Sequence, residues 1–198
     1  MPHQATAVKL AADHRRVARL RQIISEKSYE QGPEFTLASG AKSKFYFDMK
    51  PTAFDPEGAT LIAELILDEL ANRPVDFIGG LEMGAVPVIA AVAMKSFGGL
   101  NLPGLFVRKE AKGHGTRRLV EGIEAGASVE GKNVVLVEDV TTSGGSVMKA
   151  VEAVREAGGS VDTVITIVDR QEGATTNLRN EGIELVALLT ADDFLDQS

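Results

Sequence analysis

The chain has 198 residues, 44% of them apolar and 25% charged, with a formal net charge of −7 and no cysteine. That length can bury one sizeable core and would be cramped for two full domains. The acidic balance argues against a general nucleic-acid or membrane-surface binder, and the lack of cysteine excludes disulfides, thiolate catalysis and cysteine metal sites.

No apolar run reaches the length needed to cross a bilayer. Arg15, Arg16, Arg19 and Arg21 are not joined to an uncharged apolar segment of signal-peptide type, so a cytoplasmic location is the expectation. Residues 6–30 carry Val8, Leu10, Val17, Leu20, Ile23 and Ile24 among charges, an irregular amphipathic helix. Two β-rich runs then flank Ser39, Gly40, Ala41, Lys42 and Ser43, which predicts a hairpin. Its aromatics Phe35, Phe45, Tyr46 and Phe47 either fill a small core or wall a site for a planar ligand.

Asp55-Pro56 is a helix start, an acid at the N-cap and proline in the first turn, and Leu61, Leu65, Leu67 and Leu70 continue the helix until Pro74. Residues 75–78 read as a short strand running into Gly79, Gly80, Leu81, Glu82, Met83 and Gly84, with an alanine-rich helix over about 86–97. This glycine loop is either a second oxyanion site or a simple reversal of the chain. Residues 102–107 predict a strand, followed by Arg108, Lys109, Lys112, His114, Arg117 and Arg118 with Glu110 as the only acid among them. Gly113, Gly115 and the absence of apolar anchors predict a mobile loop. A solvated charge run is the ordinary explanation of such a stretch. Concentrated positive charge in an acidic chain favours a functional one.

Residues 134–137 are four apolar β-formers and read as a buried strand, with Glu138 and Asp139 where it ends. Val140, Thr141, Thr142, Ser143, Gly144, Gly145 and Ser146 follow, and a helical period begins at Val147. The first N–H groups of a helix lack partners and the helix dipole places positive charge there, so this loop is suited to a phosphate. Two acids beside a phosphate must face something else, and ribose hydroxyls or Mg²⁺ would suit them. Gly158-Gly159 stops the helix, residues 161–168 form a strand ending in Asp169, Arg170, Gln171 and Glu172, and a helix over 174–180 and a strand over 183–189 complete the core. Alternation of strand and helix predicts an α/β fold with a mostly parallel sheet whose ligands bind beyond the carboxyl ends of the strands. His3, His14 and His114 are too scattered for a zinc site, and no Gly-x-Ser-x-Gly elbow supplies a nucleophile.

Residues 134–146, an apolar run, two acids and a Thr/Ser/Gly loop, resemble the phosphoribosyl pyrophosphate (PRPP) motif of type I phosphoribosyltransferases. Phe35-Thr36-Leu37-Ala38-Ser39-Gly40 with Ser43 and Phe45-Tyr46-Phe47-Asp48 resembles the N-terminal hairpin of orotate phosphoribosyltransferases. Residues 108–115 look like that family's catalytic loop, and Asp169-Arg170-Gln171-Glu172 like its base-site segment, all in the family's order. The resemblance implies one domain over 1–198: a hood of helix and hairpin over about 1–55 and a core over about 56–190 with helices on both faces of the sheet.

It also implies the reaction of orotate with PRPP to give orotidine 5′-monophosphate and pyrophosphate in pyrimidine biosynthesis. In these terms Val140, Thr141, Thr142, Ser143, Gly144, Gly145 and Ser146 hold the 5-phosphate, and Glu138 and Asp139 face the ribose, with Mg²⁺ carried by PRPP near them. Thr142 and Arg170 contact orotate, Arg108, Lys109, Lys112 and His114 surround the pyrophosphate, and Lys112, His114 and Asp139 are the catalytic set. The resemblance further implies a homodimer with loop residues shared across subunits. Two departures stand out: Glu82-Met83 replaces a Tyr-Lys pair, and Gln31-Gly32-Pro33 replaces a lysine, with Lys50 and Lys44 as candidate substitutes. A purine or uracil acceptor, or a non-catalytic PRPP-binding regulator, are the alternatives; the hairpin and Arg170 speak against the first, Lys112 and His114 against the second.

Overall fold

The computed structural model describes residues 2–36, 42–110, 119–124 and 126–195. Helix α1 (Pro2–Lys27) buries Leu20, Ile23 and Ile24, three positions on one face at helical spacing. It leads into an antiparallel hairpin of β1 (Tyr29–Thr36) and β2 (Lys42–Phe47), whose register slips between Gln31 and Phe35. Gly32-Pro33 lies in that irregularity, and proline brings no N–H to a ladder. The helix was expected to run to Glu30 but stops at Lys27. Tyr29 pairs instead with Phe47, and its ring packs 5.1 Å from Phe47 and 5.5 Å from Phe194, so aromatic burial overrides helical continuation.

After the short α2 (Lys50–Ala53), α3 (Pro56–Leu70) starts as the sequence predicts, with the Asp55 carboxylate accepting from the N–H groups of Glu57 and Gly58. Then follow β3 (Phe77–Gly79), α4 (Ala85–Lys95), β4 (Phe106–Val107), β5 (Val120–Glu121), β6 (Val134–Thr141), α5 (Gly145–Glu156), β7 (Thr163–Asp169), α6 (Ala174–Asn180), β8 (Glu184–Thr190) and α7 (Asp192–Leu195).

Strands β3, β6, β7 and β8 form a parallel sheet in that order. Side chains along β6 and β7 alternate between two cores, as the two-residue strand period requires. Val135, Val137, Ile165 and Ile167 pack with α1, α3 and α4, whereas Val134, Leu136 and Val164 pack with α5. Both faces are therefore covered, which explains why the strands read as apolar runs.

The expected strand over 102–107 is divided. Phe106 and Val107 pair antiparallel with β5, while Gly104 and Val107 bridge in parallel to Ile78 and Leu81. Hydrogen bonds from Leu105 N to Ile78 O (2.9 Å) and Val107 N to Gly80 O (2.8 Å) make this stretch a broken continuation of the sheet beside β3. Among the described residues no helix is long and apolar enough to cross a membrane.

Candidate active site

The carboxyl ends of β6 and β7, the start of α5 and the hairpin converge at one edge of the sheet. Contrary to the sequence reading, β6 does not end before the acids; it runs through Glu138 and Asp139 to Thr141, because Glu138, Val140 and Thr141 keep their register with Thr166, Val168 and Asp169 of β7. The acids are thus held by ladder hydrogen bonds rather than by a loop. Gly144 caps α5 with φ +86°, a left-handed conformation that glycine adopts without steric cost. From α6, Asn177 Nδ2 donates to Ser143 O (2.8 Å) and braces the loop, a contact for which the sequence carries no signal.

Glu138, Val140, Thr141, Thr142, Gly144 and Ser146, with Val147, line a cavity of about 20 Å³. Glu138 Oε2 and Thr141 Oγ1 are buried there without a hydrogen-bond partner among the described residues. Burial, and then the charge of Asp139, push the Glu138 carboxyl up to about 8, with Lys109 opposing. Burial also raises Asp139, offset by the N–H of Val140 on Oδ1 (2.9 Å) and by the charge of Lys50. Two raised acids side by side, one with an oxygen lacking a partner among the described residues, suit hydrogen-bond donors or a cation.

The glycines of the second loop serve close packing. A β-carbon on Gly84 would lie 2.5 Å from Asp139 Oδ2, and one on Gly80 would lie 2.5 Å from Val137 O. The loop is pressed onto β6, and Glu82 in it accepts from the backbone N–H of Lys109 (2.9 Å). Arg108 reaches Glu82 at 4.0 Å and Glu121 at 3.8 Å, and its Nε is buried without a partner among the described residues. Glu82 therefore ties the glycine loop to the start of the basic segment, a role its sequence position did not announce. Lys112, His114, Arg117 and Arg118 lie outside the described residues.

Arg170 follows β7, and its N–H donates to Thr141 O (2.9 Å), which ties it to the end of β6 just before the Thr/Ser/Gly loop. Its side chain is 2% exposed and lies against the hairpin, 4.3 Å from the centre of the Phe45 ring. Thr142 is half-buried nearby in sequence and Lys50 pairs with Asp48 at 2.6 Å. Of the two candidate lysines, Lys50 is the one whose charge acts on Asp139. Phe47 is a core residue, and Phe45 packs against the same core while its ring carries the Arg170 guanidinium.

A family model of the phosphoribosyl transferase domain matches residues 52–180. The chain is 53% identical over 179 residues to an orotate phosphoribosyltransferase of Bradyrhizobium diazoefficiens, covering 90% of this chain and 95% of that protein. It is 44% identical to one of Sorangium cellulosum, with 89% and 92% covered. Among solved structures, the Mycobacterium tuberculosis orotate phosphoribosyltransferase in complex with PRPP is similar at a TM-score of 0.74 and 31% identity, with 90% and 98% covered. An adenine phosphoribosyltransferase of Leishmania donovani, at 18% identity and a TM-score of 0.65, shares the fold.

Proposed function

The chain belongs to the phosphoribosyl transferase family, among the orotate phosphoribosyltransferases, and on that premise we propose how its residues divide the work. The reaction transfers the phosphoribosyl group of PRPP to orotate and releases pyrophosphate, a step of pyrimidine biosynthesis. The observation that carries the residue assignment is the bond from Arg170 N to Thr141 O, which couples the acceptor side of the site to the donor loop.

The N–H groups and hydroxyls from Thr141 to Ser146, at the left-handed turn opening α5, bind the 5-phosphate. Glu138 and Asp139 receive the ribose hydroxyls, which satisfies the Glu138 Oε2 atom left without a partner among the described residues. Breaking the bond at C1 builds positive charge on the ribose ring and negative charge on the leaving group. The acids Glu138 and Asp139 lie on the ribose side, while Arg108 and Lys109, followed in sequence by Lys112 and His114, meet the pyrophosphate. Orotate brings its own negative charge, so no strong base is required. Arg170, a planar fork, grips the anionic edge while Thr142 lies beside the ring. Water must be kept from the site, because it would compete for the ribosyl cation.

Mg²⁺ fits as a cation carried by substrate. The two adjacent acids Glu138 and Asp139 are what a phosphate-bound, largely hydrated Mg²⁺ would need from a protein. When bound it would neutralise charge on the pyrophosphate. The protein works as a homodimer in which the basic segment of one subunit reaches its partner's site. Mixing an Asp139→Asn variant with a Lys112→Ala variant tests this: recovered activity is expected, and none would rule out sharing. For the reaction itself, orotate, PRPP and Mg²⁺ should yield pyrophosphate, whereas equal use of hypoxanthine would remove the pyrimidine assignment.

A further inference from the structure

We propose that Ser43 and Glu172 are positioning residues for the acceptor: together they clamp the guanidinium of Arg170 so that only one anionic group can dock on it. The inference rests on the assignment of Arg170 to orotate. Arg170 Nη2 donates to Ser43 Oγ (3.0 Å), Nη1 to Phe45 O (3.4 Å) and Nε to Glu172 Oε1 (2.8 Å). A guanidinium has five N–H donors. One N–H on each terminal nitrogen is left over among the described residues, two donors for the oxygens of an anion.

The hydroxyl of Ser43 is fully used. It donates to Phe45 O (2.8 Å), accepts from Phe45 N–H (3.2 Å) and accepts from Arg170. One proton and two lone pairs are all that a hydroxyl offers, so serine here is a junction between the hairpin backbone and the arginine. Glu172 differs in exposure: its side chain is 37% exposed while that of Arg170 is 2% exposed. It balances a buried cation from the solvent side and fixes the Nε edge. With Nε held by Glu172 and the ring of Phe45 beneath the guanidinium plane, rotation about the last side-chain bonds is blocked. Orotate then meets a cation whose orientation has already been set, which lowers the entropy lost on binding.

The test compares Ser43→Ala, Ser43→Thr, Glu172→Gln and Arg170→Lys in steady-state assays of the full enzyme. Ser43→Ala and Glu172→Gln should each raise the KM for orotate roughly tenfold, the effect of losing one hydrogen bond to a charged group, with kcat and the KM for PRPP within about twofold of the parent. Ser43→Thr, which keeps the hydroxyl, should restore most of the loss. An unchanged orotate KM in both variants, with a raised one in Arg170→Lys, would overturn the clamp and leave Arg170 in place. An unchanged orotate KM in Arg170→Lys would overturn the assignment of Arg170 itself. Parallel losses in both substrates' KM, kcat and melting temperature would reduce Ser43 and Glu172 to structural residues.

Discussion

Asp139 lies directly against Gly84: a β-carbon at residue 84 would stand 2.5 Å from one carboxylate oxygen and 2.7 Å from the other. The acid proposed to face the ribose is thus confined by a loop more than fifty positions earlier in the chain. The carboxylate is also held by the Val140 N–H on Oδ1 (2.9 Å), so a side chain added at residue 84 would displace it from that bond.

Gly84→Ala should therefore damage substrate binding more than folding. Overpacking of this kind typically costs ~1–3 kcal/mol, and here the displaced atoms belong to the site. A raised KM for PRPP, measured beside a melting curve lowered by only a few degrees, is the expected pair of results.

Glu138 makes the stability of the ligand-free protein depend on pH. In the folded chain its carboxyl holds a proton up to about pH 8, above its ordinary value of 4.5. Its neutral form thus contributes stability that is complete below pH 4.5 and is lost as pH rises through 8. The shift corresponds to an effect on the order of 3–5 kcal/mol. Glu138→Gln keeps the shape without the charge, so its melting temperature should change less between pH 5 and 9 than that of the parent, and should exceed the parent's at the alkaline end. Parallel curves would show that burial does not govern this carboxyl.

Asp139→Asn separates function from structure. The substitution removes a buried charge raised by desolvation, so folding stability should hold or increase. Loss of the charged acceptor should nonetheless weaken PRPP roughly tenfold in equilibrium binding. Unchanged affinity would remove Asp139 from the ribose.

Lys112→Ala probes the basic segment. If Lys112 meets the charge that develops on the leaving group, kcat should fall by ~100-fold or more with the melting temperature unaltered. Near-parent turnover would take Lys112 out of the mechanism.

Much of the architecture was written locally. Asp55-Pro56 carries its own cap and first turn, 134–137 are apolar because both sheet faces are covered, and Gly144 marks the turn where α5 begins. Such signals act between neighbours, so sequence alone determined the order of the main strands and helices, and by resemblance the family. Only the tertiary structure decided the rest. Glu and Asp are poor strand formers, yet pairing with β7 draws Glu138 and Asp139 into β6. The limits of α1 and β4 were set by aromatic contacts with Phe47 and Phe194 and by bridges to Ile78 and Leu81. Arg170 meets Ser43 across 127 positions, and Asp139 meets Gly84, because parallel crossovers bring distant strand ends to one edge. Contacts of that range leave no period or spacing in the sequence; they exist only once the sheet has assembled.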